Sequence, residues 1–189
     1  MSRDDVREQL VAWAEDCRLE GEVDLGDGRL SDVVNDLDIL VFAGATVVAI
    51  DDGHTVSLDE LEVARRDLSL IEVAGRRGDP QRRLRTVAEH VRLEVGPFRV
   101  TGNLHRSPSA HPLNALNRWS RFLPVTEAYV EIDGSTSEPA THEVILVNRD
   151  RIGTYDVLMD AAPIWVPAPP EAEPPPEAAP QPEAAQPIA

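Results

Sequence analysis

The chain is 189 residues long and carries eighteen basic against thirty-four acidic side chains, a formal net charge of -16. That balance disfavours nucleic acid and anionic membranes, whose binding draws on clustered positive charge. The single cysteine excludes an intrachain disulfide, and no run approaches the ~20 apolar residues of a membrane span, so a soluble cytoplasmic protein is expected.

In chain order, Ser2 ahead of Asp5, with Val6, Leu10 and Trp13 on one helical face, predicts a short N-terminal helix. Leu10 to Ala14 also reads as the start of a strand. A turn at Glu15-Asp16 leads into a strand alternating as Leu19, Gly21, Val23 and Leu25, where an internal glycine marks a bend of the kind that turns a corner in small barrels. A polar loop at Gly26-Asp27-Gly28 and a helical turn from Leu30 to Asn35 follow. Thr46 to Asp51 is a strand running into Asp52-Gly53, a strong hairpin signal, and Leu58 to Ala64 and Leu68 to Val73 close the segment.

Asp79-Pro80 ahead of Leu84, Val87 and Ala88 is a second helix start, with Asp as cap and Pro in the first turn. The same series then returns. Gly96-Pro97 is a turn, Phe98, Val100, Gly102 and Leu104 alternate, and Arg106 to Ser109 is a loop. Pro112 opens a helical turn, Ala128 to Asp133 runs into Asp133-Gly134, and Val144 to Val147 and Ile152 to Leu158 are the closing strands. From residue 161 onward the chain is Pro, Ala and Glu, with ten of the sixteen prolines, a composition that favours extended, disordered chain without a buried face.

This return is an internal duplication. Cys17 to Val23 lies over Phe98 to Leu104 at an offset of 81, Leu30 to Asn35 over Leu113 to Asn117, Thr46 to Asp51 over Ala128 to Asp133 at 82, and Val63 to Asp67 over Leu146 to Asp150 at 83. Strands hold register while loops absorb insertions. Two copies are too few for a solenoid. About five short strands per copy suit SH3-like or Sm-like closure. The expected architecture is mainly β with short helices: a first small β module over 1–75, a basic helical connector over 76–90, a second module over 91–160, and a tail over 161–189. Each module alone is near the size at which stability is marginal, so packing of one on the other or on a partner is expected.

Charge follows the duplication. Residues 1–73 hold six Arg against nineteen Asp and Glu, residues 98–159 six against seven, and residues 76–92 six against two. A contact of the basic connector with the acidic module in cis is expected. All eighteen basic residues are Arg, which reflects base composition more than function.

Phe98-Arg99-Val100-Thr101-Gly102, Leu113 to Asn117, Arg121 to Ala128 and Val144 to Ile152 together resemble an uncharacterised bacterial domain family, over about sixty residues of the second copy. The first copy departs from it at Leu40-Val41-Phe42 and Arg65-Arg66-Asp67. The order of elements is also similar to Sm-like folds. Neither resemblance implies a catalytic residue, an activity or a cofactor.

Several side chains invite a functional reading. Cys17 sits on an alternating strand where the other copy has Phe98, which favours a packed strand residue over a nucleophile. His105 and His111, six apart in the second copy's loop, would join His142 in a metal-dependent enzyme, but their spacing matches no ligand pair on a helix or hairpin, so a solvated loop is favoured. Asp24, Asp27, Asp32, Asp36 and Asp38 lack the spacing of a calcium loop. Arg66-Asp67 and Asn148-Arg149-Asp150 form the repeated polar pair, a structural ion pair before a ligand-facing one. Trp119 to Pro124 reads as core, and Trp165 as either a packed residue or a docking peptide within the tail.

These readings lead to a non-catalytic protein-interaction or scaffold module with an unidentified protein partner, no cofactor and no membrane, and with strand edges open to homo-oligomer formation. The rivals are an Sm-like ligand- or RNA-binding module using Arg149, Arg151 and the connector arginines, and the histidine-based metalloenzyme.

Overall fold

The computed structural model describes residues 7–26, 30–73, 86–108, 120–134 and 139–158. Among these residues the strands are β1 (Arg7–Trp13), β2 (Cys17–Asp24), β3 (Ile39–Ala49), β4 (Thr55–Ala64), β5 (Leu70–Glu72), β6 (Val87–Val95), β7 (Phe98–Arg106), β8 (Phe122–Ile132), β9 (Ala140–Asn148) and β10 (Ile152–Val157), with one helix, α1 (Leu30–Asp36), between β2 and β3. Single-turn 3-10 helices, Arg65–Asp67 and Arg149–Arg151, follow β4 and β9. The protein is mainly β. No helix among the described residues is long and apolar enough to cross a membrane.

All ten strands join one antiparallel sheet in the order β10-β6-β7-β8-β9-β5-β1-β2-β3-β4. Within each half the order is the same: fifth strand, first, second, third, fourth. Two separate barrels, each closed on itself, were the expectation. Here the fifth strand of the first half pairs with the fourth strand of the second, and the ladder β5–β9 carries the sheet across the chain.

The ladders align the halves strand by strand. Leu10 opposite Gly21 matches Val91 opposite Gly102, and Leu19 opposite Val47 matches Val100 opposite Val130. The third strands therefore correspond at an offset of 83, and the fourth at 84, because Val56 opposite Val47 matches Ala140 opposite Val130. The sequence alignment is one residue short in both. Its second block lies outside the described residues in the second copy.

The described parts of the two expected helices, from Arg7 and from Val87, are strands β1 and β6, and the start signals Ser2 to Val6 and Asp79-Pro80 lie outside the described residues. Val91, Leu93 and Val95 alternate into the core, and pairing on both sides overrides the local helix signal. The connector therefore gives way to strand at Val87, and its residues 76–85 lie outside the described set, as do the tail and Trp165.

Gly21 and Gly102 occupy matching bends. Beside each, the ladder to the third strand slips, between Glu20 and Glu22 and between Thr101 and Asn103. The extra residues on the facing strands are Gly44 and Glu127, with φ of 59° and 50°. Such a bulge moves the core-facing positions by one: Leu40 and Phe42 are buried before it and Ala45 after it, as are Leu123 and Val125 before and Ala128 after. A Cβ on Gly102 would lie 2.7 Å from Val125 Cγ1 and 2.9 Å from the Thr126 carbonyl, whereas on Gly21 the nearest atom would be 3.1 Å away. Gly102→Ala is expected to lower stability by about 1–3 kcal/mol in urea unfolding, and Gly21→Ala by less.

The two cores are not private to their halves. Phe122 and Leu146 pack with the first-half cluster around Leu10, Leu40 and Phe42, while Trp13 and Leu70 pack with the second-half cluster around Leu93, Phe98 and Ile145. That exchange supplies each small module with the apolar contact it lacks alone.

Candidate functional site

Where the halves meet, the two 3-10 turns bring the repeated polar residues together. Asn148 is wholly buried. Its Nδ2 donates to the Leu68 carbonyl at 2.7 Å, its Oδ1 accepts from the Asp150 amide at 3.1 Å, and its own amide donates to the Ser69 carbonyl at 2.9 Å. The Arg149 amide donates to Arg121 O at 2.7 Å, and the Arg121 Nε pairs with Asp150 at 2.8 Å. Arg149 itself lies 3.4 Å from Asp150. Arg151 ties the turns to each other, with Nε donating to the Arg66 carbonyl at 2.9 Å and the guanidinium reaching Glu15 at 3.4 Å and Asp67 at 3.9 Å.

Arg66 and Asp67 are exposed and paired with each other at 3.8 Å. The position equivalent to Arg149 is Arg65, since each opens the 3-10 turn after the fourth strand. Arg65 is buried; its guanidinium donates to the carbonyls of Val34 and Asn35 and pairs with Asp38 at 2.8 Å. It thereby satisfies carbonyls that the end of α1 leaves open. Sequence reasoning passed over it in favour of Arg66. It also passed over Asn35, whose side chain crosses to the second half: Oδ1 accepts from the Phe122 amide at 2.9 Å, and Nδ2 donates to Ser31 O at 2.6 Å and approaches Phe122 O at 3.4 Å. An available signal was the unbroken apolar run Val144 to Val147, which marks a strand covered on both faces, against the interrupted Leu61-Glu62-Val63 of the first copy.

Beside the junction lies an open cleft of about 690 Å³, lined by the turns Glu15-Asp16, Ala49 to Asp51 and Ile132 to Gly134. Its lining sets the half-buried Ile50 and Ile132 beside the exposed carboxylates of Glu15, Asp16, Asp51 and Asp133. Four carboxylates repel a phosphate.

The remaining candidates are spread out. His105, on β7, bonds Thr126 Oγ1 at 2.8 Å, with Thr86 Oγ1 3.4 Å from its other ring nitrogen. His142, on β9, meets Trp13 edge-on at 5.7 Å between ring centres, with Glu72 3.2 Å from its Nδ1. His111, Trp119 and Asp27 lie outside the described residues. Asp24 caps its own turn through the Gly26 amide at 2.8 Å, and Asp38 is committed to Arg65. Among the described residues no three His, Cys, Asp or Glu side chains converge as metal ligands would.

Cys17 is half-buried on β2, and burial, reinforced by the neighbouring Asp16 carboxylate, pushes its thiol up to about 11. The thiolate is the reactive form. At pH 8 its fraction falls roughly 100-fold below that of an ordinary cysteine, so iodoacetamide labelling should be slower by about that factor. The rate should still be climbing at pH 10, where a free thiol has levelled off.

No family model, curated protein or solved structure matches the chain.

Proposed function

We propose that the chain is a non-catalytic protein-interaction or scaffold module, each half an opened relative of a small Sm-like or SH3-like barrel. The observation that carries this reading is the distribution of exposed apolar side chains. Leu37, Ile39, Val41, Val56 and Leu58 lie on or just before the last two strands at the β4 end of the sheet, and Val87 and Val157 on the last two strands at the β10 end. Apolar groups gathered beside unpaired strand edges are what a binding partner covers. The polar candidates are engaged within the fold, which supports structural roles for Asn148, Arg149 and Asp150 and leaves fewer cations for RNA. The acidic cleft weighs against RNA as well.

Affinity capture tests the reading. Captured proteins, further copies of this chain included, should be lost with a Val56→Ser, Leu58→Ser double variant and kept by an Asp51→Asn control. Capture that survives the edge variant, or salt-sensitive retention of RNA by the parent, would contradict it.

A further inference from the structure

The internal ladder β5–β9 is half of a pattern whose other half is open. Its two strands have structural equivalents at the outer edges of the sheet: β4 corresponds to β9, and β10 to β5. Among the described residues neither β4 nor β10 has a second neighbour. We propose that a second copy of this chain docks head to tail, β10 of one copy pairing with β4 of the next and repeating the β5–β9 ladder.

Burial at equivalent positions supports it. Phe122, which opens β8 opposite Asn148, is 1% exposed because the first half covers it, whereas its counterpart Ile39, opposite Ala64, is 50% exposed. His142 keeps 8% of its side chain in solvent beneath Trp13, and its counterpart Leu58 is 39% exposed. Ile145 and Val147 are fully buried, while Leu61 and Val63 are only partly so. The apolar surface left open at the β4 end is thus the surface that the internal junction buries.

The register carries over. Leu70 faces Val147, Ile71 faces Leu146 and Glu72 faces Ile145; the same spacing sets Thr154 of one copy against Val63 of the next, Tyr155 against Glu62 and Asp156 against Leu61. No like charges stand directly opposite, which would be unfavourable. Asp59, Glu60 and Glu62 on β4 discourage indiscriminate edge pairing. Backbone polarity also fits: Asn148 donates to Ser69 and Val73 to Val144 across the internal junction, and Leu158 donates inward to His90. By alternation the amides of Glu62 and Val157 point outward. The outer junction is the weaker one, because Thr154 and Glu94 stand where Leu70 and Trp13 stand, so association is concentration-dependent. Each copy offers two different edges, and such a contact yields a closed ring or an open chain.

The proposal rests on the interaction reading and names one partner for it. Light scattering and sedimentation of the full chain should give masses at multiples of 20.7 kDa that grow with concentration. Glu62→Pro and Val157→Pro each remove an outward amide that the strand's inner ladder does not use, a position at which an edge strand tolerates proline. Each variant alone should be monomeric, and an equimolar mixture should form a 1:1 dimer through the one intact pair of edges. A monomeric parent at every concentration overturns the proposal, as does a variant that still self-associates or a mixture that stays monomeric. Should either proline variant lose its circular dichroism spectrum, amide exchange on the parent decides: the Glu62 and Val157 amides slow with rising concentration, and unchanged rates overturn the proposal. Edge-dependent capture of other proteins by a monomeric parent would remove self-association and leave the interaction reading standing; edge-dependent association with no other protein captured would leave self-association as the whole of the interaction.

Discussion

Trp13→Ala is expected to cost about 3–5 kcal/mol, the range for deleting a large buried aromatic, and to weaken both halves together. Trp13 closes β1 in the first half, yet it packs in the second-half cluster. It pairs with Leu70 across the β1–β5 ladder, lies against the His142 ring, and carries the Arg18 guanidinium 6.0 Å from its ring centre. Truncation opens a cavity lined by both halves, and the rigid ladders around it cannot collapse to fill it. Urea unfolding followed by circular dichroism should show one transition, displaced to lower urea with an unchanged slope. A transition split into two would mean that the halves unfold separately.

Asn148→Asp is expected to cost about 3–5 kcal/mol at neutral pH, as for an uncompensated buried charge. The donor that now reaches Leu68 O at 2.7 Å becomes an oxygen facing an oxygen, in a position with no solvent access. Only the protonated carboxyl can restore that hydrogen bond, so folding raises the pKa of the new group. The variant therefore retains most of its stability below the ordinary Asp value of ~3.9 and loses it as pH rises. Asn148→Ala should show a smaller, pH-independent loss of about 1–3 kcal/mol. Parallel urea titrations at pH 4 and pH 7 separate the two variants, and an Asn148→Asp loss independent of pH would contradict the buried hydrogen-bond role.

The halves of this fold were visible in the sequence, and their union was not. Duplicated alternation and the Asp-Gly turns identify the strands, and Gly21 and Gly102 identify the bends, because these are local signals. The spacing of Val6, Leu10 and Trp13 satisfies a helical period, yet Leu10 and Trp13 lie in a strand, so only pairing with β2 and β5 decides between the two readings. The one-residue slips at the third and fourth strands have a physical source too: longer loops and bulges shift register without altering the alternation that an alignment follows. Slipping the fourth strand placed Arg66 over Arg149 and hid Arg65, the buried partner of α1. A strand's alternation says that one face is covered but does not name its neighbour, so the β5–β9 pairing, Asn35, and the bonds that carry Asn148 across to the first half were out of reach.

The two halves form one continuous sheet, and native-state hydrogen exchange at single-residue resolution tests this directly. The Asn148 amide, which donates across the junction to Ser69 O at 2.9 Å, should exchange only through global unfolding, with the same free energy as the amides at the centres of β2 and β7. Junction amides that exchange quickly while β2 and β7 stay protected would contradict it, and would mean two independent modules.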